Sequence, residues 1–155
     1  MENTGMPTTI GHLQFTVQPA NLPFYRELMR FLGWELLYDG EVPPANAPML
    51  GVAGSGGTSV WFAGNAKDVT NDYDGPGLNH VAFGAESQVD VDAAATYLTE
   101  RGVELLFGTP RHRPEFAQSD AETYYQVMFE SPDRILIEVV YTGPKSVSLS
   151  ARCGP

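Results

Sequence analysis

Cysteine is almost missing from this chain of 155 residues: Cys153 is the only one. An intramolecular disulfide is therefore impossible, and a metal site built on thiolates is excluded. Basic residues are scarce too. Nine Lys and Arg stand against 19 Asp and Glu, a formal net charge of −10. That balance disfavours nucleic acid and anionic membrane as partners, because both are polyanions. A solvated acidic surface would account for the charge equally well. No segment approaches the ~20 apolar residues of a membrane span. The opening MENTGMPTT has neither the basic nor the apolar stretch of a secretion signal. A soluble, cytoplasmic protein with one ordinary domain's worth of core is expected.

What is present is periodicity. GHLQFTV (11–17) alternates as a strand, with Leu13, Phe15 and Val17 on one side and His12, Gln14 and Thr16 on the other. Residues 21–33 predict an amphipathic helix with Asn21 as N-cap, an apolar stripe of Phe24, Leu28, Phe31 and Leu32, and Gly33 as terminator. WELLYDG (34–40) predicts a strand, EVPPANAP (41–48) a loop, and MLGVA and TSVWFAG a hairpin about GSGG. Residues 65–76 have little periodicity and read as a connector. The order then begins again. LNHVAFG predicts a strand, and 87–102 a helix opened by the capping pair Ser87 and Asp90 and closed by Gly102. VELLF (103–107) predicts a strand, 108–122 a long polar loop, and TYYQVMFE and RILIEVVY strands joined at SPD. The tail from Thr142 carries no core signal and reads as loose or as an exchange arm.

The chain thus reads strand–helix–strand–strand–strand, twice. GWELLYDG (33–40) matches GVELLFGT (102–109) at Gly, Glu, Leu and Leu. His12 and His80 hold the same place in their first strands, and the offset between them agrees within one residue with that between Gly33 and Gly102. These matches indicate an internal repeat.

The repeat bears on the histidines. A lone His in an apolar strand is ordinarily a satisfied structural residue. His12, however, lies opposite the face that must cover its helix, and the repeat puts His80 on the corresponding face beside Ala82 and Gly84. Glu138 joins them from the most apolar strand of the chain, flanked by Ile137 and Val139. Burying a carboxylate there is costly unless it is paired or coordinated. Two imidazoles and one carboxylate form a set that holds a divalent ion with positions left open for water and substrate. His12, His80 and Glu138 are therefore the expected ligands of one ion, Zn, Ni, Mn or Fe(II).

The paired pattern, GLNHVAF, FYRELMRFLGWELL and YYQVMFESPDRILIEVV together resemble the vicinal oxygen chelate superfamily, which includes glyoxalase I, fosfomycin-resistance proteins, extradiol dioxygenases and bleomycin-resistance proteins. The resemblance covers roughly residues 10–142. It implies an α+β fold of two βαβββ modules, 10–64 and 77–142, forming an eight-stranded cup between tails 1–9 and 143–155. It places ligands on the first and last strands of each module, at His12, His80 and Glu138, with the fourth position near Trp61, which cannot ligate. The isomerase mechanism of glyoxalase I then lacks its second carboxylate. Where fosfomycin transferases and extradiol dioxygenases carry Tyr, ten residues before the Glu, Met128 stands here. The extradiol His before the second ligand is also absent from 65–79.

Strand parity turns Tyr124, Gln126 and Met128 toward the cavity, with Gln14, Thr16, Met49 and Trp61. Tyr124 is the candidate acid or hydrogen-bond donor, against the reading of a plain aromatic wall. Arg111, His112 and above all Arg113 are placed to cap an anionic substrate, against the reading of a solvated basic turn. The expected function is a metal-dependent lyase, isomerase or epoxide-opening enzyme acting on a small oxygen-rich metabolite or antibiotic. The alternatives are a metal-free antibiotic-binding protein of the bleomycin-resistance type, on the strength of the acidic charge and Trp61, and an Fe(II) extradiol-type dioxygenase. A homodimer, with the modules exchanged between copies, is expected from the resemblance.

Overall fold

The computed structural model describes residues 4–43 and 46–145, and the chain divides into two compact units between Thr70 and Asn71. The expected loose tail is corrected at its start, because residues 142–144 pair with Glu122–Tyr124 as the end of the last strand. Residues from 146 on, with Cys153, lie outside the described residues, and the rest of the exchange-arm expectation with them. In the first unit β1 (His12–Thr16) is followed by a 3-10 turn at Pro19–Asn21, α1 (Leu22–Phe31), β2 (Glu35–Val42), β3 (Ala47–Ala53) and β4 (Ser59–Ala63). The sheet order is β1-β4-β3-β2, with β1 parallel to β4 and the other neighbours antiparallel. In the second unit β5 (Val81–Gly84), α2 (Gln88–Glu100), β6 (Arg111–His112), β7 (Glu122–Glu130) and β8 (Leu136–Pro144) give the order β5-β8-β7-β6. Here β5 runs parallel to β8 and the other neighbours are antiparallel. The architecture is α+β, two four-stranded mixed sheets each crossed by one helix, and the repeat is real.

Local chemistry explains most of the boundaries. Gly33 (φ 79°) and Gly102 (φ 73°) end their helices in the left-handed region, where only glycine is unstrained. Ser87 Oγ accepts from the Asp90 amide at 3.1 Å and donates to the Asp90 carboxylate at 2.8 Å, so α2 opens on the expected capping pair. Ser87→Ala should lower stability by about 1 kcal/mol, read as a shift in the urea midpoint with unchanged slope.

Four further expectations are corrected, in whole or in part. Asn21 stands at the N-cap position of α1, as expected, but it is also the last residue of the 3-10 turn and its side chain makes no capping bond. The buried stripe of α1 is Leu22, Tyr25, Leu28 and Met29, while Phe31 is exposed. The helix carries two overlapping apolar stripes, and the one that wins places Tyr25 on Phe62, rings stacked at 4.5 Å. The loop 41–48 is mostly ladder, with Glu41 opposite Pro48 and Val42 opposite Ala47. Pro48 lacks an N–H, but its carbonyl accepts from the Gly64 amide at 2.8 Å, so the strand tolerates it. Finally, 103–107 is not a strand. Only Leu105 pairs, with Phe129, and the chain turns away at Phe107 (φ 57°) and Gly108 (φ 67°). The edge position goes instead to Arg111–His112, inside the expected loop.

Each core lies between sheet and helix. Phe62 stacks on Tyr25 of α1, Phe15 stacks on Phe62 at 5.6 Å, and Val17 is buried as well. Phe83, Val127, Phe129, Ile137 and Val139 are buried in the second unit, as are Val91, Ala94 and Leu98 of α2. Because side chains alternate across a strand, the residues between these core positions share the opposite face: His12, Gln14 and Thr16 on β1, Tyr124, Gln126 and Met128 on β7, and Glu138 on β8. Among the described residues no helix is long and apolar enough to cross a membrane.

Candidate functional site

The second unit brings four of the expected site residues together around one carboxylate. Glu138 is the third residue of β8, paired with Ala82 on one side and Met128 on the other, and is 1 % exposed. Its Oε2 lies 3.1 Å from His80 Nε2. Its Oε1 accepts from the Tyr124 hydroxyl at 2.7 Å. Gln126, with its amide nitrogen toward Glu138 and its oxygen toward Arg113, donates to the same Oε1 at 2.7 Å and accepts from Arg113 Nη1 at 3.1 Å. Arg113 Nε in turn meets Glu115 at 2.5 Å. One carboxylate oxygen is therefore saturated by two neutral donors, and the other faces an imidazole. Burial without such partners would be prohibitive.

His80 stands immediately before β5, exposed, on the side of Ala82 and Gly84 rather than that of the buried Phe83. Its Nδ1 lies 2.7 Å from Asn79 Oδ1. The Tyr124 phenol is pushed up to about 12, first by burial and then by its bond to the Glu138 carboxylate. Loss of that proton would set two negative charges against each other. Tyr125, on the other face of β7, is raised to about 12 as well, by burial and its bond to Asp92. A phenol whose folded value lies above the ordinary 10 contributes stability that is complete below about pH 10 and is lost as pH rises toward 12. In a spectrophotometric phenol titration Tyr124→Phe should remove one group from the fraction ionising near pH 12; loss of a group titrating near pH 10 instead would contradict the assignment.

In the first unit His12 is exposed on β1, on the same face as Gln14 and Thr16. Gln14 pairs with Trp61, as Ala82 pairs with Glu138. Trp61 also lies four residues past a positive-φ turn position, Gly57 (φ 80°), as Glu138 does past Arg134 (φ 57°). The register thus makes Trp61 the counterpart of Glu138, and Gly51, its antiparallel partner, the counterpart of Met128. Glycine is required there: an added Cβ would come within 2.4 Å of the indole. Trp61 Nε1 donates to Ser59 Oγ at 3.0 Å, and Tyr38 lies 6.4 Å away, ring to ring. His112 bonds Thr123 on the opposite side of its ladder from Arg111 and Arg113.

Among the described residues no group of three His, Cys, Asp or Glu side chains is arranged to hold a metal ion. The His80–Glu138 pair nevertheless fits two ligands of one ion. Donors each about 2.1 Å from a common centre stand roughly 3.0–3.4 Å apart at octahedral or tetrahedral angles, and the observed separation is 3.1 Å. Sequence reasoning named these two residues and, separately, Tyr124, Gln126 and Arg113, but not the bonds that link them, and it passed over Asn79 and Tyr73. Asn79 Nδ2 donates to the Tyr73 carbonyl at 3.0 Å. The available signal was an Asn directly before the ligand candidate.

Comparison with known proteins bears on the fold and the family. A protein from Bacillus subtilis, YqjT, of uncharacterised function, is 45% identical over 64 residues, 41% of this chain and 46% of its own, so the match spans about half of that protein's length. A candidate glyoxalase from Bacillus halodurans superposes with a TM-score of 0.66 at 26% identity, covering 86% of this chain and 95% of its own. A variant of the fosfomycin resistance protein FosX from Listeria monocytogenes, in complex with Mn(II) and 1S,2S-dihydroxypropylphosphonic acid, superposes with a TM-score of 0.62 at 18% identity, covering 88% and 93%. The profile of the Glyoxalase/Bleomycin resistance protein/Dioxygenase superfamily matches residues 9–139, which together with the twofold strand–helix–three-strand order establishes that the chain belongs to that superfamily.

Proposed function

We propose that this protein is a metal-dependent enzyme acting on a small, oxygen-rich substrate, of the isomerase, lyase or epoxide-opening kind. The observation that carries the proposal is the buried Glu138 carboxylate, with Oε1 held by Tyr124 and Gln126 and Oε2 turned to His80 Nε2 at 3.1 Å. In this reading His80, Glu138 and, through the repeat, His12 hold one divalent ion. When bound, such an ion supplies Lewis-acid stabilisation of charge on two vicinal oxygens of the substrate. The chain's own residues do the rest. Tyr124 and Gln126 keep the carboxylate oriented. Arg113, beside Gln126 and over the Phe116 ring at 4.8 Å, offers a cation to the anionic end of a substrate. Gln14, Thr16 and Trp61 in the first unit and Met128 in the second are the further residues proposed to meet substrate. A homodimer with exchanged modules belongs to the same proposal.

FosX was solved with Mn(II) and a phosphonic acid diol. The test therefore loads the chelator-treated protein with Mn(II), follows binding by electron paramagnetic resonance, and follows fosfomycin by phosphorus NMR. Binding of one ion per chain, with conversion of fosfomycin or of a related vicinal oxygen compound, is the expected result. Protein that takes up no ion, yet binds a cationic drug against Trp61 and Tyr38, would replace the enzyme with the metal-free binder.

A further inference from the structure

The geometry points to Asn79 as a positioning residue that fixes which nitrogen of His80 carries the hydrogen. This inference rests on the reading of His80 as a ligand and adds the group that prepares it. Asn79 cannot rotate its amide freely, because Nδ2 donates to the Tyr73 carbonyl at 3.0 Å. Its Oδ1 is thereby turned to His80 Nδ1, 2.7 Å away. An amide oxygen only accepts, so Nδ1 must bear the hydrogen. In the neutral ring Nε2 is then a bare lone pair, and Nε2 is the atom that faces Glu138 Oε2. A lone pair and a carboxylate oxygen at that distance repel unless a cation lies between them or the ring is protonated. Asn79 thus selects the tautomer able to ligate and sets it beside the carboxylate that would share the ion.

Tyr73 is itself clamped. Its hydroxyl donates to Glu130 Oε1 at 2.5 Å, and the Arg134 guanidinium lies 5.0 Å from the ring centroid. Asn71 Nδ2 donates to the Arg134 carbonyl at 3.0 Å. The segment before β5, weak in periodicity, is therefore tied to the β7–β8 turn, and Asn79 takes its orientation from that tie. Tyr73, Asn71 and Arg134 hold the acceptor in place; none of them touches His80 by these bonds.

The experiment is long-range proton–nitrogen NMR of the metal-free protein at about pH 8.5, where an ordinary imidazole is neutral. Nδ1 of His80 should carry a hydrogen in the wild type, with or without one on Nε2, whereas in Asn79→Ala the ring hydrogen should move to Nε2, toward Glu138 Oε2. Asn79 is exposed, so Asn79→Ala should fold; Asn79→Ser is the second variant should it not. Asn79→Asp keeps an acceptor and should keep the tautomer. Mn(II) affinity should fall about 10- to 100-fold in Asn79→Ala, the usual range for partners of ligating histidines, and be largely retained in Asn79→Asp. An unchanged tautomer in both Asn79→Ala and Asn79→Ser overturns the inference. If the wild type takes up no Mn(II), the metal reading fails, while the tautomer spectra still decide the role of Asn79.

Discussion

Glu138→Gln should lower Mn(II) affinity by more than about a hundredfold while leaving the fold intact. The substitution keeps the shape of the side chain but removes its charge, and a ligand lost outright costs more than the ~10–100-fold typical of a lost supporting partner. The surroundings sharpen the effect. Tyr124 and Gln126 both donate to Oε1, and an amide oxygen at that place still satisfies them. The other amide atom becomes an NH2 that faces His80 Nε2, the site of Oε2 in the wild type. Its hydrogens would occupy the space between the two donors and meet the imidazole lone pair directly. Calorimetric titration with Mn(II) checks this, with far-ultraviolet dichroism to confirm folding. Glu138→Gln that binds Mn(II) as the wild type does would remove Glu138 from the ligand set.

The second large effect falls in the other unit. Phe62→Ala should cost about 3–5 kcal/mol, the usual range for a truncated core Phe. Phe62 is stacked on Tyr25 at 4.5 Å and on Phe15 at 5.6 Å, so it joins α1 to β1 through β4. It also sits beside Trp61 in sequence, on the opposite face. Because strand side chains alternate, the burial of Phe62 and Phe15 is what turns Trp61, His12 and Gln14 the other way. The variant should lose stability in urea and, where it remains folded, loosen the face that carries His12. A urea midpoint within error of the wild type would mean that the aromatic layer is not the core of this unit.

How much of this was legible in the sequence depends on how unambiguous each signal is. Gly33 and Gly102 were legible because a left-handed terminator after an apolar helix has few competitors. Glu138 was legible because a charge between Ile137 and Val139 demands a partner, and the partners are there. Tyr124 and Gln126 followed from parity alone. The stripe of α1 was misjudged because Leu22, Tyr25 and Met29 compete with Phe24, Phe31 and Leu32 on the same short helix, and only the stacking of Tyr25 on Phe62 decides between them. VELLF looks like a strand by composition, but the left-handed Phe107 breaks the ladder after a single pair. Asn79 was passed over because its meaning comes from Tyr73, six residues earlier in a segment without periodicity, and from a tie to the β7–β8 turn that no local pattern records.

The central proposal is that His12, His80 and Glu138 share one divalent ion. Pulsed electron paramagnetic resonance of the Mn(II)-loaded protein tests it most directly, since it counts coordinated imidazole nitrogens. The account predicts coupling to two imidazoles, reduced to one in His12→Ala and to one in His80→Ala. A spectrum without imidazole coupling, or one that either substitution leaves unchanged, would contradict it.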